Sequence, residues 1–161
     1  MNPPKDPADL DDKNRESDRM VLNRGIKDNL VIWPVDPRAL IGDVVLFFCP
    51  SNTATEAKYL LDETVERWKE RFVKKAKEEL DFYERNHGLV IAAGVITEDP
   101  KKTEGWCVKI SDLIWLKNPI ELTYSNLKIS ILRTQPATYL SCDEWLELRK
   151  KIRYENPEIR L

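Results

Sequence analysis

Two apolar stretches, each with a tryptophan at the end of a strand and beside turn-forming residues, most constrain the fold of this chain. The first, Asn29–Phe48, contains the sequence IWPV around Trp33 and then the apolar run Val44–Phe48. The second, Gly105–Leu122, begins with a strand that starts at Trp106. Short apolar runs bounded by Gly, Pro and Asn predict buried β-strands. The two stretches therefore predict a small β-barrel in which both indoles line an aromatic pocket.

The remaining apolar runs supply further strands. The sequence predicts a first strand at Met20–Leu22, ending at Asn23, and later strands at Leu89–Ile96 and Leu127–Leu132. Within Gly105–Leu122, we expect two runs, 106–110 and 113–116, closed by a turn at 118–119. A glycine inside a strand indicates a bulge or a close backbone approach, and Gly94 occupies such a position.

Two helices are predicted from periodicity and capping. Apolar residues spaced by three or four run from Leu61 to Tyr83, so one continuous helix is expected over Thr55–Asn86. At about 1.5 Å per residue, such a helix spans more than about 40 Å and either packs across one face or protrudes as an arm. Ser141 and Glu144 form a capping-box pattern that begins a final helix, Cys142–Arg153.

The length and composition suit a folded domain with a tail. The chain has 161 residues, of which 42% are hydrophobic, which is enough to bury a core. Residues 1–17 are rich in Pro and Asp and predict a disordered tail, so residues 18–161 are expected to form one domain. Strands outnumber helices, which favours an α+β class: a mixed, partly open β-barrel of about six strands, with helices outside and one long inserted helix at residues 55–86.

The charge and the reactive residues exclude several classes of protein. The net charge is −2, so any nucleic-acid contact must come from a local basic patch. The single histidine, His87, argues against Ser-His-Asp and Cys-His catalysis and against histidine-rich metal sites. Three scattered cysteines favour reduced thiols over disulfides or zinc. The free thiols, the absence of a signal-peptide pattern and the lack of a long apolar run predict a cytoplasmic protein without membrane contact. The 34% of charged residues is typical of a thermophile.

With these strands in place, the sequence resembles the PUA-like superfamily, and within it the EVE and YTH domains. The resemblance covers roughly residues 18–153, interrupted by the long helix. It is carried by the strand ending in Asn23, by the motifs VIWPV, GDVVLFF, LVIAAGVI and GWCVKISDLIWLKNPIEL, and by RTQPATYLSCDEW before the closing helix.

The resemblance implies a function. EVE and YTH domains bind a modified base, such as N6-methyladenine or 5-methylcytosine, extruded into an aromatic cage. Trp33 and Trp106 match the cage positions, Asn23 matches an asparagine that contacts the base edge, and Trp115 is a candidate third wall. Domains of this type are fused to motor subunits in McrBC-type modification-dependent restriction systems. This implies a specificity module, not an enzyme, without metal or cofactor, whose partners are modified DNA or RNA and a motor or nuclease subunit or a fused AAA+ domain.

Each candidate residue also has a structural interpretation. Trp33 and Trp106 also suit core positions, Trp115 alternates into the interior, and Asn23 suits an ordinary turn. Phosphates around the cage would be held by basic residues of the neighbouring loops and strands, any one of which is otherwise a surface charge. These candidates are Lys101, Lys102, Lys109, Lys117, Lys128 and Arg133.

Three other functions stay open at this point. Glu56-Ala57-Lys58, with Asp43 upstream, matches half of a metal-dependent nuclease motif, although that chemistry needs the triplet on a strand. An RNA-binding PUA-like module and a protein-interaction domain that uses the long helix are the others. The sequence does not distinguish DNA from RNA or one base modification from another.

Overall fold

The chain folds into two compact units. The structure is a computed structural model that describes residues 1–10, 16–102, 105–122 and 139–161. One unit, called here the helical unit, contains Met1–Arg24 and Phe48–Leu89, and the other, the sheet unit, contains Gly25–Phe47 and Val90–Leu161. The assignment of residues 18–161 to one domain stays a prediction from the sequence. The apolar side chains of residues 48–89 pack with one another and with the N-terminal segment.

The sheet unit is built on an antiparallel sheet, so the α+β class is confirmed. Its strands are β1 (Val31–Pro34), β2 (Val44–Phe48), β3 (Leu89–Ile96), β4 (Lys101–Lys102) and β5 (Trp106–Glu121). The order is β1-β5-β3-β2, with β4 also paired to β5. Five strands are thus seen where about six were expected, and the predicted strand Leu127–Leu132 lies outside the described residues.

The sheet is strongly curled. Trp33 lies on β1 and Phe47 on β2, the first and last strands in the order. In a flat sheet three strand spacings separate them by about 14 Å. Their ring centroids are only 5.1 Å apart, with the rings at 83°. The face that carries both rings must therefore be concave, as expected for a partly open barrel.

Strand β5 is longer than the sequence predicted. It runs unbroken from Trp106 to Glu121, so the predicted turn at Asn118-Pro119 is wrong. The side chain of the buried Asn156 replaces a neighbouring strand there, because its Nδ2 donates to Asn118 O at 2.9 Å and its Oδ1 accepts from Asn118 N at 2.8 Å. Asp112 has a φ of 51°, and at this bulge the buried positions shift from Val108 and Ile110 to Leu113.

Helix α1 (Asp18–Asp28) replaces the predicted first strand at Met20–Leu22. Ser17 Oγ accepts from Met20 N at 3.3 Å and begins the helix. At the other end Asn29 adopts a φ of 53°, and Leu30 N donates to Gly25 O at 2.9 Å, which is a Schellman ending. The short apolar run thus lies within a helix, in which Leu22 is buried and Met20 is exposed.

The predicted helix Thr55–Asn86 is two helices, α2 (Thr53–Arg67) and α3 (Glu70–Asn86). Trp68 breaks the helix with extended dihedrals, φ −128° and ψ 167°. The break lets the buried stripe of α2 face that of α3, so that Leu60 packs with Phe72 and Ala76. A single straight helix would keep the two stripes apart and exposed to water. Burial of their apolar surface therefore stabilises the broken conformation.

The N-terminal segment packs against these helices, which corrects the predicted disordered tail for residues 1–10. Leu10 ends a short 3-10 helix, Pro7–Leu10, and is buried in the cluster of Leu60, Phe72 and Ala76. The backbone oxygen of Leu10 accepts from Lys75 Nζ at 2.6 Å, and the Met1 amino group donates to Phe48 O at 2.6 Å. The composition concealed the anchoring role of Leu10.

Two backbone hydrogen bonds join the start and the end of the helical hairpin. Cys49 N donates to Leu89 O at 3.0 Å, and Gly88 N donates to Cys49 O at 2.7 Å. The two ends of residues 50–87 are therefore adjacent.

The buried carboxylate of Glu79 fixes α1 on α3. Its Oε1 accepts from Ser17 Oγ at 2.8 Å and from Arg19 Nε at 2.9 Å. Burial raises the pKa of Glu79 above its ordinary value, and the Arg19 charge opposes that shift.

The final helix of the described residues, α4 (Cys142–Glu155), begins as predicted. Ser141 Oγ accepts from Glu144 N at 3.2 Å, and Glu144 Oε2 accepts from Ser141 N at 2.7 Å. The capping box is confirmed.

Candidate functional site: an indole pair on the concave sheet face

Trp33 and Trp106 lie on the same face of neighbouring strands. Trp33 is opposite Val108 in the antiparallel register, and Pro34 is opposite Cys107. Val35 N then donates to Trp106 O at 2.9 Å. Directly opposite residues share a face and alternate residues return to it. Trp106 is therefore diagonal to Trp33, at a Cα separation of about 7–8 Å, within reach of aromatic side chains.

The two indoles differ in exposure. Trp106 is 39% exposed, whereas Trp33 is half-buried with its edge on Phe47. The residues between and beside them on this face, Val31, Val108 and Ile110, are buried. The pair thus has an apolar floor that water does not hydrate, and one of its walls is open to solvent. A flat aromatic ligand fits such a surface because its faces need no polar partner.

Trp115 does not join this pair as a third wall. It is half-buried and lies seven residues beyond Val108 on β5, about 23 Å further along the strand. The Asp112 bulge also interrupts the alternation between the two positions. Trp115 has an interaction of its own.

Asn23 is an exposed residue in the middle of α1, within the helical unit. Its proposed contact with a base edge depended on a strand that ends at this position, and that strand is replaced by the helix. The basis for the assignment is therefore lost.

In the sheet unit, Val35 is followed by Asp36 and Arg38, which form a bidentate pair at 2.9 Å. This pair holds the pKa of Asp36 at about 2.

The sequence did not single out the aromatic residue that accompanies this polar pair. The Arg38 guanidinium lies 5.1 Å from the ring centroid of Tyr139, which is exposed. We call Asp36, Arg38 and Tyr139 the candidate polar rim. Asp36 and Arg38 follow Trp33 closely in the chain, whereas Tyr139 is far from it in the sequence. The sequence signal for this rim was an Asp-x-Arg pattern that begins two residues after the strand, because this spacing allows a bidentate pair.

The lysines predicted to hold phosphates divide by face. Lys101 pairs with Cys107 and Lys102 with Trp106, so Lys102 shares the face of the indole pair and Lys101 has the opposite face. On that opposite face, Glu98 binds Lys101 Nζ at 2.9 Å and Lys109 Nζ at 2.6 Å. These two contacts lower the pKa of Glu98, with the larger contribution from Lys109. Lys101 and Lys109 are therefore occupied by a carboxylate.

Of the other basic candidates, Lys117 is exposed on β5 beyond the bulge, away from the indole pair along the strand. Lys128 and Arg133 lie outside the described residues. Lys102 is therefore the lysine that the register places beside Trp106.

The residues needed for metal chemistry are not assembled in the described ranges. Glu56 and Lys58 of the nuclease-like triplet are exposed on α2 and not on a strand. No group of three His, Cys, Asp or Glu side chains in the described part of the chain is placed to hold a metal ion. The three cysteines are free, and burial raises the pKa of the Cys49 thiol to about 12. Every helix within the described ranges is too short or too polar to cross a bilayer.

Comparison of the chain with protein-family models, curated proteins and solved structures finds no match.

Proposed function

We propose that the sheet unit is a PUA-like module that binds one modified base of a nucleic acid between Trp33 and Trp106. The observation that carries the proposal is the position of both indoles on one concave face above buried aliphatic residues. In this proposal the protein selects a methylated strand for a motor or nuclease partner, as in McrBC-type restriction systems, and catalyses no reaction itself. The curled sheet and the apolar floor support it.

The energies of the steps are compatible with modest affinity. Stacking on an aromatic side chain contributes about 1–3 kcal/mol per base. Extruding a base from a duplex costs a few kcal/mol, so a single-stranded or weakened site is favoured. Burying one methyl group against Val108 and Ile110 adds about 0.8 kcal/mol. The methyl group is therefore expected to improve affinity several-fold and not by orders of magnitude.

A panel of oligonucleotides of one sequence tests the proposal. The panel contains adenine, N6-methyladenine, cytosine or 5-methylcytosine at one position, as DNA and as RNA, at about 50 and 200 mM salt. We expect one methylated form to bind several-fold more tightly than its plain form, and all affinities to fall with salt. Equal affinity for each methylated and plain pair would contradict base reading. A preference for unmodified structured RNA would favour an RNA-binding module instead.

Lys102→Ala is expected to weaken plain and methylated strands alike. Lys102 lies opposite Trp106 without a carboxylate partner among the described residues, so its ammonium group is available to a phosphate. Losing one phosphate contact should reduce the slope of log affinity against log salt by about 0.7–0.9. Titrations of both strands at four salt concentrations measure the slope.

Lys101→Ala is the matched control for that measurement. It removes the same charge from the adjacent residue, but Lys101 has the opposite face and is bound to Glu98. The salt slope should change little. An equal change in both variants, or a loss of methyl preference in Lys102→Ala alone, would contradict the assignment of Lys102 to the phosphate backbone.

A further inference from the structure

A second surface with an aromatic residue among cations lies in the helical unit, at the break between α2 and α3. A hollow of about 370 Å³ is lined there by Arg67, Trp68, Lys69, Arg71 and Phe72. We call it the junction hollow.

The aromatic part of the junction hollow is fixed by Phe72. This residue is 2% exposed and belongs to the cluster of Leu10, Leu60 and Ala76. The Trp68 ring makes an edge-to-face contact with the Phe72 ring, with an interplanar angle of 78° and centroids 5.3 Å apart. Trp68 is itself 38% exposed. The Arg71 guanidinium lies 4.6 Å from the centroid of the Phe72 ring. A buried ring thus positions an exposed indole and a cation next to each other.

The charge of the segment differs from that of the protein. Residues 67–77 contain six Lys and Arg and one acidic residue, Glu70, a net charge of +5, in a chain whose net charge is −2. Residues 53–66 contain four acidic residues and one lysine, a net charge of −3. The helix break therefore coincides with a reversal of charge.

We propose that the junction hollow binds single-stranded nucleic acid independently of base modification. Arg67 and Lys69 contact backbone phosphates, and Trp68 stacks on one base. Cations together with an exposed aromatic ring are the combination that retains unpaired strands without regard to sequence. An acidic peptide would use the cations but leave the indole unpartnered. This goes beyond the reading of a modified base, and it stands even if the indole pair of the sheet unit binds nothing.

The test measures binding of an unmodified 12-nucleotide oligo-dT to the full chain. Arg67→Gln combined with Lys69→Gln removes two lining charges from exposed positions, so folding should be unaffected. We expect the slope of log affinity against log salt to fall by about 1.4, twice the value for one single-strand contact. The matched control, Lys74→Gln with Lys77→Gln, removes the same charge from α3 outside the hollow and should change the slope less.

Trp68→Leu tests the stacking contact. We expect a loss of oligo-dT affinity of about fivefold or more, with the salt slope retained. Photochemical cross-linking of the unaltered protein should attach the strand to Trp68, which gives a measurement independent of the stability of the variant. Equal losses in the lining and control pairs, or cross-links only elsewhere, would overturn the proposal.

Two further results separate this site from the others. The Gln variants should keep the ratio of affinities for methylated and plain strands, because that ratio belongs to the indole pair. Competition by polyglutamate as effective as competition by oligo-dT would show an acidic protein to be the ligand and would overturn the nucleic-acid assignment.

Discussion

Trp106→Ala is expected to lower affinity for a methylated base by about 1–3 kcal/mol, which is roughly 5- to 150-fold. The indole is 39% exposed, so little of it contributes to the core. Its backbone pairing with Val35 and Lys102 does not depend on the side chain. The loss should include the preference for the methyl group, because water then reaches the floor of the pair. Binding titrations and thermal melting of the same samples measure both quantities.

Variants at two other tryptophans serve as comparisons for this result. Trp115→Ala changes the same residue type on the same strand, away from the pair, and should leave the methyl preference intact. Trp33→Ala should lose both preference and stability, since Trp33 is half-buried against Phe47. Truncation of a buried large aromatic residue costs about 3–5 kcal/mol, an upper limit for Trp33. Unchanged binding in Trp106→Ala would refute the indole pair as a base site.

Gly94→Ala is expected to destabilise the sheet unit by about 1–3 kcal/mol. A Cβ at this position would lie 2.5 Å from Ile110 Cγ2, 3.0 Å from Leu113 Cδ2 and 3.1 Å from Ser111 O. Ile110 is fully buried and β-branched, so its methyl group cannot swing away. The backbone of β5 must therefore move away from β3. Chemical denaturation followed by far-UV circular dichroism measures the loss.

Gly105→Ala is the control for the glycine prediction. Among the described residues, a Cβ at Gly105 meets no atom within 4 Å, so the change in unfolding free energy should stay within about 0.5 kcal/mol. Equal stability of the two variants would show that β3 and β5 are not packed as closely as described. Gly94→Val should lower the free energy of unfolding more than Gly94→Ala does, because the two additional methyl groups of valine meet the same side chains.

Elements encoded by their own residues were predicted correctly. The runs of β2 and β3 are continuous and apolar, and the capping box of α4 is local to Ser141–Glu144. The close approach at Gly94 was also foreseen, since only a missing side chain accounts for a glycine in so apolar a strand. In these cases the neighbouring residues in the sequence contain the information that decides the structure.

Elements decided by distant residues were not predicted. No glycine or proline marks the break at Trp68; burial of Leu60 against Phe72 decides it. Asn118-Pro119 has the sequence of a turn, but the side chain of Asn156 keeps the segment in β5. Likewise, the composition of residues 1–17 concealed the role of Leu10 as an anchor. Periodicity alone cannot reveal a partner so far away in the chain.

The candidate site shows the same division. The type and strand-end position of Trp33 and Trp106 were readable, whereas their common face follows from the register that sets Trp33 opposite Val108. The pairing of β4 with β5 places Lys102 and Lys101 on opposite faces of the sheet, whereas the sequence analysis assigned both the same role. Asn23 was assigned through a strand that does not form. Whether the pair binds a modified base stays a prediction.

The hydrogen bonds between Cys49, Gly88 and Leu89 have a consequence for the order of folding. Pairing β2 with β3 closes a loop of about 40 residues, and the entropy of closure grows with the logarithm of loop length. Contacts between α2 and α3 are local, and helical hairpins of this kind form early. Once they form, the two ends of the loop are already adjacent, so the strands meet as if joined by a short turn. We therefore expect variants that loosen the helical hairpin to slow the pairing of β2 with β3 as well as to lower stability.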